Sequence, residues 1–475
     1  MTLTIYNTLT RHKEAFQSIE PQQVRMYCCG ITVYDYCHLG HARTCLIWDV
    51  VRNYLQWRGY KVQYIQNFTD IDDKILNRAR LEGTSMEEVA ERFIEAYFAD
   101  MESLKINKAD VYPRATHSLD GIKNLITQLE INGYAYQANG DVYYAVDKFA
   151  PYGKLSGRKL EDLQAGASGR IEATAEAKKK NPFDFALWKS AKPGEPSWDS
   201  SWGKGRPGWH IECSAMVKEY LGETIDIHVG GNDLIFPHHE NEIAQSEAAT
   251  GKPLANYWLH NGMVKVDGEK MSKSLGNFTT IRDLLARRVD PMAVRLFILQ
   301  AHYRKPIDFT REALNAAEAG WQTLQEGLLL GDNLNWQLSS LTIIPSITQR
   351  FQEAVDDDFN FAEGLAIVFE IAKELRKQAN LIRHQGETTI PLEDLQQQWA
   401  TLVELARVLG FILETKAEVT PTGLTDADIE GVIQQRQEAR KQKNYAESDR
   451  LRDELQKAGI TLIDKPGGVT DWYRE

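Results

Sequence analysis

Residues 24–66 read VRMYCCGITVYDYCHLGHARTCLIWDVVRNYLQWRGYKVQYIQ, and this stretch decides the fold. Residues 24–29 form a short apolar segment that predicts a strand, and Gly30 after it permits a sharp turn. Over residues 42–58 apolar side chains recur at helical spacing, namely Ile47, Val50, Val51, Tyr54 and Leu55. Gly59 stands where a helix C-cap is expected, and residues 61–66 predict a second strand. A strand, a helix and a strand in this order predict a parallel sheet that binds ligands at the carboxyl ends of its strands.

Two short motifs indicate a nucleotide site. HLGH at residues 38–41 lies between the predicted strand and helix, where a helix N-terminus offers free N–H groups to a phosphate. Gly40 allows the backbone to approach a nucleotide, and His38 and His41 can donate to a phosphate in the transition state. KMSKS at residues 270–274 places Lys270 and Lys273 in a glycine-flanked loop, which suits departing pyrophosphate. Taken singly, each motif has an alternative reading, as surface or core histidines and as an exposed basic loop.

Composition and charge limit the class of protein. The chain of 475 residues is 43% hydrophobic and 26% charged, and no apolar run approaches the roughly 18 residues that span a bilayer. We therefore expect a cytoplasmic protein with no membrane partner. A formal net charge of −12 argues against a general nucleic-acid binder, although a local basic surface remains compatible with it. Five cysteines, sparse and odd in number, do not predict a disulfide framework.

The amino-acid composition and the apolar pattern of the chain change after the first 150 residues. Gly, Pro, Ser and Trp become frequent over residues 155–208, which predicts an inserted region rather than a regular layer. Beyond about residue 310 the pattern is strongly helical, with one amphipathic stripe at Leu365, Val368, Phe369, Ala372 and Leu375. A last unit begins near Asp426 and predicts helices over residues 429–443 and 445–458.

Four further residues have the donor types of a zinc site. Cys29 ends the first strand, Cys213 lies far along the chain, and His238 and Glu242 are four residues apart, on one face of a predicted helix. Two thiolates, an imidazole and a carboxylate are a possible Zn²⁺ set. The alternative, buried cysteines beside a solvated His/Glu face, stays open on spacing alone.

The motifs and their flanks resemble a known family. HLGH and KMSKS, about 230 residues apart, resemble the HIGH and KMSKS signatures of class I aminoacyl-tRNA synthetases. MYCCGITVYD (26–35), PGWHIECSAM (207–216) and FPHHENEIAQ (236–245) resemble cysteinyl-tRNA synthetases, and the similarity covers essentially the whole chain. HLGH departs from HIGH by one apolar swap. Cys28 and Ile31 stand where many relatives have an aliphatic residue and a proline, and neither position carries the chemistry.

The resemblance implies an α/β fold with several parts. We expect a class I Rossmann-type catalytic core with an inserted connective region, followed by an all-α helical bundle and a small C-terminal anticodon-binding domain. The expected boundaries are 1–117 for the first half of the core with HLGH, 118–205 for the insertion, 206–310 for the second half with KMSKS, 311–415 for the bundle and 416–475 for the anticodon-binding domain.

The resemblance also implies a reaction and its residues. Cysteine and ATP, the latter with Mg²⁺, form cysteinyl-adenylate and pyrophosphate, and cysteine is then transferred to the 3′ end of tRNA(Cys) with release of AMP. The implied ligands of one Zn²⁺ per chain are Cys29, Cys213, His238 and Glu242. His38, His41, Lys270 and Lys273 would be catalytic, with ATP bound by His38, Gly40, His41, Asp233 and Lys273. Cysteine would contact Gly30, Thr69 and Trp209, and the anticodon would contact Arg440, Tyr445, Asp449 and Asp464.

A zinc ion bound by these residues would help the protein to distinguish cysteine from serine. Cysteine and serine differ in one atom, and packing alone separates such substrates by only about 1–3 kcal/mol. Zinc prefers thiolate to hydroxyl and lowers the pKa of a bound thiol. Whether Glu242 ligates directly or only supports the other ligands is left open.

Two alternatives to this function are kept. One is a paralogue that activates cysteine but ligates it to an amino sugar; such ligases lack an anticodon-binding unit. The other is a zinc-binding protein without catalysis, which the presence of HLGH and KMSKS argues against. We expect a monomer.

Overall fold

The computed structural model describes residues 2–158, 179–271, 277–413, 426–442, 444–458, 460–464 and 470–474. They belong to two compact units, Met1–Ile412 and Leu413–Glu475. The strands are β1 (Thr4–Asn7), β2 (His12–Ala15), β3 (Gln23–Thr32), β4 (Lys61–Thr69), β5 (Ala135–Ala138), β6 (Asp141–Tyr144), β7 (Phe185–Ser190), β8 (Gly205–Pro207), β9 (Ile225–Gly231), β10 (Ala255–Asn261), β11 (Val264–Val266), β12 (Glu269–Lys270), β13 (Ile307–Phe309), β14 (Ile460–Asp464) and β15 (Thr470–Arg474).

The α-helices are α1 (Leu39–Trp57), α2 (Asp73–Glu82), α3 (Met86–Ser103), α4 (Leu119–Ile131), α5 (Trp209–Leu221), α6 (Glu240–Thr250), α7 (Ile281–Ala286), α8 (Pro291–Leu299), α9 (Arg311–Asn333), α10 (Pro345–Asp356), α11 (Phe361–Gln385), α12 (Leu392–Val408), α13 (Asp426–Lys441) and α14 (Tyr445–Lys457). A short π-helix, Ile235–His239, precedes α6 directly. None of these described helices is long and apolar enough to cross a membrane.

A parallel sheet of order β10–β9–β3–β4 carries the fold of the larger unit. Residues 23–32 pair with residues 61–69, so the strand–helix–strand start predicted from the sequence is confirmed. All five predicted stripe positions of α1 are buried, although the helix begins at Leu39, three residues earlier than the stripe suggested. The carboxyl ends of β3, β9 and β10 meet at one edge of this sheet, at Thr32, Gly231 and Asn261.

Helix boundaries in the larger unit follow local capping chemistry. The Ser85 hydroxyl accepts a hydrogen bond from the Glu88 N–H, and the Glu88 side chain accepts one from the Ser85 N–H. This capping box starts α3. Asp290 caps α8, where Pro291 at the first position loses no hydrogen bond. These signals are local, so the same residues would start a helix in many tertiary contexts.

The region expected to be irregular contains ordered strands. β7 and β8 join β5 and β6 in an antiparallel sheet of order β5–β6–β7–β8. Trp188 on β7 is fully buried, which explains part of the tryptophan content of this stretch. The prediction of an irregular region was therefore wrong for residues 185–190 and 205–207, while residues 159–178 lie outside the described part.

Helices α9 to α12 pack on one another in the second half of this unit, and α9 and α11 also contact α8. Leu365, Val368, Ala372 and Leu375 of the predicted stripe are buried in α11, and Phe369 is half-buried. The smaller unit pairs α13 and α14 with the β14–β15 hairpin. Its core consists of Ile429, Ile433, Leu455 and Ile460, against which Trp472 packs.

Candidate metal centre and nucleotide cavity

Cys29 lies at an irregularity of the central sheet. The register between β3 and β4 shifts between Cys28 and Ile31, which is where a bulge can re-aim a side chain. Gly30 donates its N–H to Asn67 Oδ1 at 2.9 Å, and a Cβ at Gly30 would lie 1.6 Å from the Asn67 carbonyl oxygen. Only glycine allows β3 and β4 to approach this closely, so the backbone itself sets the direction of Cys29.

Four buried side chains meet beside this irregularity. Cys29 Sγ lies 3.7 Å from Cys213 Sγ on α5 and 3.1 Å from Glu242 Oε1 on α6. His238 Nε2 lies 3.1 Å from the same Glu242 oxygen. Their ligand atoms all lie within 4.8 Å of one another. Tetrahedral zinc with bonds of about 2.0–2.3 Å requires ligand separations of about 3.3–3.8 Å, so the donor set and its spacing fit this ion.

The electrostatics of the cluster are those of a site built for a cation. The hydrogen bond from Cys29 lowers the pKa of the Cys213 thiol to about 6 against the effect of burial. Burial raises the pKa of Cys29 well above its usual value. Burial would also raise the pKa of Glu242, but His228 and His238 hold it well below its usual range. Burial would lower the pKa of His238, but Glu242 and Cys213 raise it to about 10, so a protonated imidazole supplies the positive charge beside the carboxylate and the thiolate, and a bound cation would take that role.

Histidines that the sequence analysis did not single out support the cluster. His228 Nε2 donates to Glu242 Oε2 at 2.9 Å, which leaves Oε1 facing Cys29 and His238. His210 and His238 share a hydrogen bond between their Nδ1 atoms at 2.9 Å, which directs His238 Nε2 toward the cluster. Within the described residues a second set, Cys29, His228, His239 and Glu242, also brings its ligand atoms together. One signal in the sequence could have pointed to His228, namely a histidine inside a largely apolar strand, β9.

A cavity of about 630 Å³ adjoins the cluster and reaches the HLGH turn. Of the predicted site residues, its lining includes Cys29, Gly30, His38, Gly40, His41, Trp209 and Asp233. Cys213, His238 and Glu242 are buried, and the Trp209 ring lies over His238 with centroids 4.3 Å apart. Trp209 is 38% exposed, so it forms a wall of the cavity instead of filling the core.

The HLGH turn differs in one respect from the expectation. His38 caps α1, and its Nδ1 accepts from the N–H groups of Gly40 at 3.0 Å and His41 at 3.2 Å. Two amides that were expected to be free for phosphate are thus already bonded to an imidazole. The His38 and His41 rings stack at 3.7 Å, and both face the cavity, so the imidazoles themselves form this part of its wall.

Other predicted residues are less directly placed. Thr69 is buried and donates to Glu212 Oε2 at 2.9 Å. Lys270 lies in β12 by its backbone, while Lys273 lies outside the described residues. Phe278 and Met271, on either side of the undescribed part of KMSKS, line the cavity with His38. The two signatures therefore border the same space.

The predicted anticodon residues lie in the smaller unit. Arg440 is exposed near the end of α13, and Tyr445, at the start of α14, is 63% exposed. Asp449 follows Tyr445 by one helical turn, on the same face of α14. Asp464 ends β14, and its side chain lies outside the description.

Comparisons with known protein families agree along the chain. Residues 15–319 match the family described as tRNA synthetases class I (C) catalytic domain. Residues 350–414 match the DALR domain, and residues 422–470 match the Cysteinyl-tRNA ligase anticodon binding domain. The last match argues against the amino-sugar alternative, because those ligases lack such a unit.

Similar proteins and structures extend the agreement. A Cysteine--tRNA ligase of Rippkaea orientalis is 72% identical, and one of Synechocystis sp. is 65% identical; each alignment covers 100% of both chains. A Mycobacterium tuberculosis methionyl-tRNA synthetase in complex with methionyl-adenylate is 15% identical with a TM-score of 0.56, covering 82% of this chain and 90% of that one. A LeuRS–tRNA–LeuAMS complex from Agrobacterium radiobacter K84 is 12% identical with a TM-score of 0.57, covering 83% and 85%.

The two structural neighbours confirm the predicted fold class of the catalytic core. The family matches and the full-length relatives confirm the predicted enzyme class and reaction. The chain therefore belongs to the cysteine--tRNA ligases, class I aminoacyl-tRNA synthetases that use ATP to join cysteine to its tRNA.

Proposed function

We propose that Cys29, Cys213, His238 and Glu242 bind one Zn²⁺ per chain, and that this ion selects cysteine for the ligase. One observation carries the proposal: Cys29 belongs both to a buried set of four metal donors and to the wall of the cavity that HLGH borders. Bound zinc would supply a Lewis acid that prefers the sulfur of cysteine to the oxygen of serine. The protein residues then have to hold the rest of the substrate.

The cavity supports defined roles for its lining. Trp209 closes one wall beside His238 and would contact the substrate, as would the Gly30 backbone. Thr69 would act at the same site through its contact with Glu212. With the side chain of cysteine held at one end, its carboxylate is free to attack the α-phosphate of ATP. No side-chain nucleophile is required, so the rate gain comes from positioning and electrostatics.

The nucleotide end is assigned to the two signatures. His38 and His41 would donate to the phosphate in the transition state, with Gly40 and Asp233 contacting the nucleotide. Lys270 and Lys273 would neutralise the departing pyrophosphate of ATP, which enters with Mg²⁺. The stacking of His38 on His41 holds both rings toward the cavity, which supports this assignment.

The remaining proposals concern the tRNA and the whole chain. We infer that Arg440, Tyr445, Asp449 and Asp464 contact the anticodon of tRNA(Cys), and Tyr445 has the exposure needed to stack on a base. The five segments 1–117, 118–205, 206–310, 311–415 and 416–475 are proposed as the functional divisions of the chain. We propose a monomer that acts in the cytoplasm.

The test is cysteine-dependent ATP–pyrophosphate exchange with serine as competitor, with the zinc content measured on the same sample. We expect exchange with cysteine alone and about one zinc per chain. Loss of cysteine preference after chelation, restored by added Zn²⁺, would support a selective metal. Equal preference in zinc-loaded and zinc-free folded protein would remove that role. A tRNA-charging assay completes the test, because an amino-sugar ligase would fail it.

A further inference from the structure

Arg43 is a fully buried cation two residues after HLGH. It lies in the first turns of α1, and its side chain is 0% exposed. Its guanidinium donates to three main-chain carbonyls: Nη1 to Met263 O at 2.8 Å, and Nη2 to Tyr303 O at 3.1 Å and to Lys305 O. Burial lowers its pKa to about 10, so it remains protonated at neutral pH.

The three acceptors belong to two backbone segments that run side by side next to α1, residues 262–263 and 303–305. Gly262 donates its N–H to Tyr303 O at 2.8 Å, and Ile307 donates to Met263 O at 3.0 Å. A Cβ at Gly262 would lie 2.4 Å from Lys305 O, so the two segments touch through the main chain. Two of the three carbonyls that accept from Arg43, Met263 O and Tyr303 O, are thus the ones that already join the segments, and Arg43 fixes α1 to this pair.

One of these segments leads directly to the second signature. Met263 precedes β11, which turns at Asp267 and Gly268 into β12, and Lys270 is the last residue of β12. The other segment continues into β13, which pairs in parallel with β11. Gly262, Met263 and Val264 also line the cavity. The position of this strand pair relative to α1 thus decides where Lys270 and Met271, the described start of KMSKS, lie relative to HLGH.

The segment that follows KMSKS is attached to the same helix by its backbone. Leu39 N donates to Thr279 O at 3.1 Å, and Ile281 N donates to Cys37 O at 3.0 Å. These bonds tie residues 279–281 to the start of α1 without any side chain. On the upstream side of KMSKS, the side chain of Arg43 makes the equivalent attachment.

We propose that Arg43 is a positioning residue that sets the distance between HLGH and KMSKS by anchoring the 262–263 and 303–305 segments to α1. This proposal rests on the function proposed for the two signatures. A buried cation bonded to carbonyls alone stabilises a fold weakly, because desolvation opposes the gain. Its planar fork can, however, hold the three carbonyls in one fixed arrangement through two separate nitrogens, whereas the donors of an ammonium share one nitrogen and rotate freely.

Arg295 provides a matched control. It is also 0% exposed, lies in α8, and donates to three carbonyls: Leu409 O at 3.2 Å, Leu104 O at 3.0 Å and Lys105 O at 2.7 Å. None of these acceptors belongs to a segment adjoining HLGH or KMSKS. Arg295 also lies 3.7 Å from Asp49 Oδ2, a carboxylate that Arg43 lacks, so its lysine variant keeps a charged partner. Arg43→Lys and Arg295→Lys therefore make the same chemical change at two buried sites, one whose carbonyl acceptors bear on the signatures and one whose acceptors do not.

The experiment compares these variants in the full chain loaded with zinc. For Arg43→Lys we expect kcat of cysteine-dependent pyrophosphate exchange to fall by about 10- to 100-fold, the range of a misplacement near 1 Å, with zinc content and cysteine affinity unchanged. Arg295→Lys should lower Tm and leave kcat within about twofold. Exchange by the unmodified chain, with its loss in His41→Ala, tests the proposed function separately.

Three results would overturn the proposal. One is a folded Arg43→Lys protein with unchanged kcat, and another is an equal loss of kcat in the two lysine variants. If Arg43→Lys does not fold, Arg43→Gln replaces it, since the amide can donate to a carbonyl and buries no charge. The third result is that neither Arg43 variant folds while Arg295→Lys does, which would show that Arg43 is needed for folding and is not a positioning residue.

Discussion

Replacing His228 by glutamine separates the two metal sets that share Cys29 and Glu242. If zinc is held with Cys213 and His238, then His228 only supports Glu242, through the bond of 2.9 Å to Oε2. Both residues are fully buried, and the glutamine amide can still donate to the carboxylate, so the variant weakens the support of Glu242 without removing it, at a cost of about 1 kcal/mol. That corresponds to a loss of about fivefold in zinc affinity.

Removing a true ligand should cost more. Structural zinc sites bind with about 10–16 kcal/mol, or about 3 kcal/mol for each of four ligands, which is a loss of about 100- to 1,000-fold. We therefore expect Cys213→Ser to weaken zinc binding more than His228→Gln does. Affinities are measured by competition with a chromophoric chelator at fixed pH, and circular dichroism verifies the fold.

His260→Gln is the control for a buried histidine close to the cluster. It bonds to His239 and Thr8 and belongs to neither metal set, so its zinc affinity should change little. A Cys213→Ser protein that retains zinc while His228→Gln loses it would refute the assignment and favour the set with His228 and His239.

Three other changes test separate parts of the enzyme. Lys273→Ala should slow adenylate formation by about a hundredfold with cysteine binding retained, and an unchanged single-turnover rate would remove it from that role. Tyr445→Ala should raise KM for tRNA(Cys) by about five- to a hundredfold and leave pyrophosphate exchange unaltered; equal loss in both assays would contradict an anticodon role. Burial would raise the pKa of Asp73, but Lys189 and Arg206 hold it below its usual value, so its stabilisation is present above about pH 4 and is lost as pH falls further. Urea unfolding should therefore show Asp73→Asn less stable by under about 1 kcal/mol at pH 7, with the difference shrinking as pH falls below about 4, and a constant difference would refute the ion-pair account.

The parts of the fold that depend on residues close together in the chain could be predicted from the sequence, and those that depend on distant residues could not. The stripe of α1 and the pairing of β3 with β4 follow from local periodicity and a short connection, and both were predicted. β7 and β8 were not, because their pairing depends on partners dozens of residues away and their own stretch is rich in breakers.

The residues of the candidate site also fall into those that the sequence could predict and those that it could not. Cys29, Cys213, His238 and Glu242 could be named because their donor types match a metal and their flanking strings resemble a family. Arg43 could not, because its acceptors are main-chain carbonyls 220 to 262 residues away, which no side-chain pattern reveals. The capping of Gly40 and His41 by His38 was also missed, since a helix start predicts free amides and not which side chain reaches them.

The separation of the metal donors along the chain has a consequence during synthesis. Cys29 is made 184 residues before Cys213 and 213 residues before Glu242. At about 5–20 residues per second, roughly 10–40 s pass on the ribosome before the last donor exists. Until Cys213 is made, which takes up most of that interval, the thiol of Cys29 has none of its three partners and is open to oxidants and to competing soft metals. A nascent chain that stops short of α6 cannot form the centre at all, so metal capture falls late in translation.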